Sequence, residues 1–75
     1  MLYNIKFKPH RRTSLWVERI CDCVVDAKNK QSAKELGQAI VRDSYPDYNE
    51  EQQEYMTKQY SYIIEKECNQ DALNH

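Results

Sequence analysis

Two cysteines one residue apart, in the stretch CDCVVDA (residues 21–27), are the one spacing in this 75-residue chain that resembles chemistry. On a strand, Cys21 and Cys23 point the same way with α-carbons about 6.6 Å apart, at the upper end of the roughly 4.4–6.8 Å that a disulfide tolerates. A bond between them would be strained. Two thiolates at this spacing, joined by Cys68 and by His10 or His75, would supply four ligands to zinc. Structural zinc sites, however, place two or more residues between paired ligands, on a turn. The expected role is therefore packing: small apolar side chains under a helix, since unbonded cysteine is among the most buried residue types. No metal and no cofactor are expected.

Other chemistry has little to stand on. The chain has one glycine, no phosphate loop, and no placeable grouping of serine, histidine and acid. Enzymatic activity is not expected. Asp22 and Asp26 alternate with Glu18, and carboxylates in a row mark the wet side of a strand.

Two charged stretches suit partners instead. In KFKPHRR, the residues Lys6, Lys8, His10, Arg11 and Arg12 form a basic hairpin tip able to lie along a phosphate backbone, although Tyr3 and Phe7 fall on the opposite strand face. In YPDYNEEQQEY, the carboxylates Asp47, Glu50, Glu51 and Glu54 accompany Tyr45, Tyr48 and Tyr55. Acids at the start of a helix complement its dipole. Four tyrosines (Tyr45, Tyr48, Tyr55, Tyr62) exceed what so small a core is expected to bury, and tyrosine is enriched at interfaces.

The elements that must position these groups follow from periodicity. Tyr3, Ile5 and Phe7 alternate with Asn4, Lys6 and Lys8, giving a strand over residues 2–8 that Pro9 ends. LWVERICDCVVDA predicts a second strand over 15–27, paired antiparallel with the first. Its inward set is Leu15, Val17, Arg19, Cys21, Cys23 and Val25, unless a bulge near Arg19 exchanges faces and turns Trp16 or Ile20 inward. Asn29 caps a helix over 30–43 whose stripe is Ala33, Leu36, Gly37, Ile40 and Val41. Gly37 in that stripe implies a close approach to the sheet.

Tyr45 before Pro46 ends the helix. Asp47 with Glu50, or Asn49 with Gln52, forms a capping box. Met56, Tyr60, Ile63, Ile64 and Glu67 then predict a long second helix over 49–70 and a frayed end at 71–75. The alternative is a third strand at about 60–68, because Tyr60, Tyr62 and Ile64 also line one strand face. The expected fold is α+β, with one domain over residues 1–75: a hairpin (2–27) packed by one helix, then a second helix (ββαα), with ββαβ as the alternative.

A domain of this size hides only about 60% of its unfolded surface, so its stability is small. No window approaches the roughly 18 apolar residues of a membrane span, and an odd number of cysteines suits a reducing compartment. Cytoplasm is expected, with no membrane partner. The net charge of −1 conceals a basic first twenty residues and an acidic stretch from Asp43 onward.

The stretch VVDAKNKQSAKELGQAIV, preceded by the YNIKF strand, resembles small bacteriophage and mobile-element proteins, among them inhibitors of host defence such as some anti-CRISPR proteins. The likeness spans residues 2–43. In that group a third strand often follows the helix, and the acidic second half of this chain departs from it. The resemblance implies action by occupying a partner's surface. The resulting expectation is a non-enzymatic protein that binds and inhibits or redirects a host protein, such as a defence or nucleic-acid-handling complex. Its contact residues would be Tyr45, Asp47, Tyr48, Glu50, Glu51, Glu54 and Tyr55. The alternative is a nucleic-acid-binding regulator using Lys6, Lys8, His10, Arg11 and Arg12, for which a homodimer stays open.

Overall fold

The computed structural model describes residues 1–12 and 15–67. Along the chain run β1 (Leu2–Pro9), β2 (Cys23–Asp26), α1 (Lys30–Asp43), α2 (Glu50–Thr57) and β3 (Tyr60–Lys66). The three strands form one antiparallel sheet in the order β2-β1-β3. Since both neighbours run against β1, β2 and β3 are parallel to each other, with the amino-terminal strand inserted between them.

The architecture is thus a small α+β fold in the order ββααβ: both expected helices are present, a third strand follows them, and the long helix over 49–70 is corrected. Helix α2 stops at Thr57, and residues 60–66 pair with all of β1 but Leu2, from Tyr3 opposite Lys66 to Pro9 opposite Tyr60. Burial decides it. As a strand, the run places Tyr60, Tyr62 and Ile64 on the same side as Tyr3, Ile5 and Phe7, and gives the second edge of β1 its hydrogen bonds. The helix ends without glycine because side chains take its last carbonyls: the Tyr62 hydroxyl donates to the Thr57 oxygen (2.7 Å) and the Gln59 amide to that of Tyr55 (3.2 Å).

The second strand is shorter than the 15–27 expected. Pairing with β1 covers only Cys23–Asp26, opposite Ile5 back to Leu2. Residues 15–22 are irregular, and Val17, Ile20, Cys23 and Val25 pack against the core. That set matches the exchange of faces near Arg19 as far as Ile20 is concerned; Trp16 does not turn in, Leu15 and Cys21 are exposed, and so is Arg19. Cys21 is therefore not a core side chain, whereas Cys23 is half-buried.

Helix α1 matches its predicted bounds. The Asn29 side chain accepts from the Ser32 amide (2.8 Å), and Ala33, Gly37 and Val41 are buried along one stripe, although Leu36 is exposed. At Gly37 a β-carbon would lie 3.2 Å from Tyr62 Cδ2 and 3.4 Å from Ile5 Cδ1. Helix and sheet touch there with no room for a side chain. The Asn49–Gln52 capping box opens α2, each partner's side chain meeting the other's backbone amide (3.0 and 2.8 Å). The main core comprises Ile5, Phe7, Val41, Tyr45, Met56 and Tyr60, with the Phe7 and Tyr62 rings edge to face at 5.8 Å. Among the described residues no helix is long and apolar enough to cross a membrane. Cys68, His75 and the end expected to fray lie outside the described residues.

Candidate interaction surface

The irregular segment 15–22 has lost its ladder, so its backbone polar groups need other partners. Two tyrosines supply them. The Glu18 N–H donates to the Tyr45 hydroxyl (2.8 Å), the Tyr60 hydroxyl donates to the Glu18 carbonyl, and the two hydroxyls lie 2.6 Å apart. Because the Tyr60 proton is committed to the carbonyl, the Tyr45 hydroxyl must donate to the Tyr60 oxygen. The result is a closed cycle, Glu18 N–H to Tyr45 to Tyr60 to Glu18 C=O, in which each proton has one acceptor. It staples one residue of the segment to the core.

Burial pushes the Tyr60 hydroxyl well above the usual tyrosine range, reinforced by its hydrogen bond with Tyr45. Burial likewise pushes Tyr62 up to about 12, partly offset by the Arg42 cation. Both phenols are held neutral in the fold while the unfolded chain ionises near pH 10. Their contribution to stability is complete below pH 10 and is lost as pH rises from 10 towards 12 and above. Thermal melts followed by circular dichroism should therefore show a falling midpoint from about pH 10 upward, with a shallower fall in Tyr62→Phe.

The staple holds a surface in place. Two residues before Glu18, Trp16 is 55% exposed, and it faces an open groove of about 440 Å³ shared with Tyr48, Glu51, Gln52, Tyr55 and Met56. Tyr48 and Tyr55 are 41% and 55% exposed. Tyr48 is fixed from below, its ring centroid 5.1 Å from that of buried Tyr45. The Gln53 amide donates to the Tyr45 carbonyl (2.9 Å), tying the 45–49 turn to α2. The groove thus rests on three segments that the core and hydrogen bonds register to one another.

No family model, curated protein or solved structure matches the chain. The surface must be interpreted from its own chemistry.

Of the acidic, tyrosine-rich set expected from sequence, the fold brings Tyr48, Glu51 and Tyr55 to the groove, all exposed; Glu50 is exposed as well but faces Arg42, Gln53 and Glu54 instead. Tyr45 is buried, and its role is internal. Glu54 is held by Arg42 (3.1 Å) in a half-exposed ion pair, so its carboxylate is engaged; such pairs contribute about 0–1 kcal/mol. Asp47 is exposed in the turn and does not line the groove. Trp16 was missed, because a strand over 15–27 assigned it to the wet face. Its signal was the run Leu15–Trp16–Val17, bulkier and more apolar than a half-buried edge needs.

The basic set also converges. Lys6 and Lys8 stand on the sheet face away from α1, with Asn4, Val24 and Ile63, and Arg11 and Arg12 are exposed in the turn beyond His10. The aromatic residues of β1 point the other way, so among the described strand residues this face carries no ring on which a base could stack. Among the described residues no three histidine, cysteine or acidic side chains gather as metal ligands. Burial, then the charge of Asp22, raises the Cys23 thiol above its usual range, which disfavours the thiolate.

Proposed function

We propose that the protein works by docking, without chemistry of its own, seating apolar side chains of a partner protein in the groove between Trp16, Tyr48 and Tyr55. The observation that carries this reading is the exposure of three aromatic rings around one apolar groove on a 75-residue chain. Large aromatic residues around a pocket are the composition of interface hot spots, and a clustered apolar patch marks a contact surface. Glu51 in its lining, with Glu50 next to it in sequence, favours a partner with lysine or arginine at its rim. In its finer form, the partner is a host protein of a defence or nucleic-acid-handling complex, inhibited in the manner of phage-encoded proteins through its basic channel.

The alternative, a nucleic-acid-binding regulator, is supported by Lys6 and Lys8 on the open sheet face. One set of variants separates the two. Capture of a specific protein from host lysate should fall at least tenfold with Trp16→Ala plus Tyr55→Ala and with Glu50→Lys plus Glu51→Lys, and persist with Lys6→Ala plus Lys8→Ala, as read by quantitative mass spectrometry. Loss confined to the lysine variant, recovered as salt-dependent binding of labelled RNA or DNA, overturns the docking reading.

A further inference from the structure

The sheet has a second unclaimed feature, at the opposite edge from β2. Along the β1–β3 ladder the Glu67 amide bonds to the Leu2 carbonyl and the His10 amide to that of Gln59, both 2.9 Å. Antiparallel pairing alternates, so the odd-numbered residues of β3 turn their backbone groups to β1. The N–H and C=O of Tyr60, Tyr62 and Ile64 consequently point outward, from an edge strand to which no other described strand is paired. From Tyr60 to Ile64 the strand itself carries no bulge, proline or charged side chain, whereas Glu65 and Lys66 follow it.

Alongside it lies a groove of about 470 Å³, formed by Lys34 and Gln38 of α1, by Thr57 and Lys58, and by β3 from Tyr60 to Tyr62. Its charged lining residues are both cations, and both are exposed. We propose that this edge receives an extended acidic peptide as a fourth strand: the outward backbone groups of Tyr60, Tyr62 and Ile64 provide the ladder, and Lys34 and Lys58 meet carboxylates on the peptide. Added strands take affinity from main-chain bonds and specificity from the pockets their alternate side chains fill.

The probe is a fluorescein-labelled ten-residue peptide alternating valine or threonine with glutamate or aspartate. Its anisotropy should rise on titration with the protein, and the amides of Tyr60, Tyr62 and Ile64 should gain hydrogen-exchange protection. N-methylating alternate peptide amides should abolish binding in one frame and spare it in the other. Lys34→Glu plus Lys58→Glu, with an unchanged circular dichroism spectrum, should weaken binding at least tenfold and create affinity for the lysine-substituted peptide. Absence of binding at millimolar peptide, equal loss in both frames, or an edge protected instead by concentration-dependent self-association in sedimentation overturns the proposal. None of these outcomes bears on the Trp16 and Tyr55 groove, which is scored with separate variants.

Discussion

Ile5→Ala should bring the protein close to its unfolding threshold at room temperature. Ile5 has no exposed surface, lies in the middle of the central strand, and packs against Gly37 of α1. Truncating a fully buried isoleucine costs about 2–5 kcal/mol, and more where neighbours cannot close in. They cannot do so here, since Gly37 is backbone and its neighbour Tyr62 is tied through its hydroxyl to the end of α2. At about 0.05–0.15 kcal/mol per residue, a chain of this length has roughly 4–11 kcal/mol in total. One side chain thus removes a large fraction of it. Urea titration should show the midpoint collapse in Ile5→Ala and a loss of about 0.5–1.5 kcal/mol in Ile5→Val. A change under about 1 kcal/mol in the alanine variant would contradict the packing described.

Removing the Tyr60 hydroxyl should act on stability and docking together. In Tyr60→Phe the ring remains, but the Glu18 carbonyl loses its donor and the Tyr45 hydroxyl its acceptor. Each orphaned group costs about 1–3 kcal/mol if water cannot replace the partner. Adding Tyr45→Phe also frees the Glu18 N–H, so the staple is gone altogether. Amide exchange at residues 16–20 should accelerate in the single variant by ten- to a hundredfold or more, as expected for the loss of about 1–3 kcal/mol of local protection. Partner capture should weaken although no groove-lining residue has changed, because Trp16 hangs on the stapled segment. Wild-type exchange rates at Glu18 in Tyr60→Phe would refute the cycle.

Local patterning made much of the fold legible. The alternation of Tyr3, Ile5 and Phe7 and the Asn29-capped stripe of α1 were plain because each element's burial is written in its own period. Two features were not. The break at Thr57 lacks glycine and proline; besides the Lys58 and Gln59 backbone amides, side chains of Gln59 and Tyr62 take its carbonyls, and Tyr62 is placed there by β3. The loss of ladder at 15–22 depends on hydroxyls from Tyr45 and Tyr60, one of them 42 residues from Glu18 in sequence. The candidate surface was half legible for the same reason. Tyr48, Glu51 and Tyr55 sit within one local run, whereas Trp16 joins them only through that distant cycle, and the same cycle takes Tyr45 inward.

The insertion of β1 between β2 and β3 has a bearing on biosynthesis. Of the described strands, the earliest in the chain needs the latest: Tyr3 to Pro9 pair with Lys66 to Tyr60. At about 5–20 residues per second, the nascent chain waits roughly 3–10 s between them. Throughout that interval Ile5 and Phe7 are laid out with one flank open, and contacts so far apart along a chain form slowly once they can form at all. Pairing along this flank is accordingly deferred until β3 has been translated, and a chain halted before Tyr60 keeps that side of β1 without its partner.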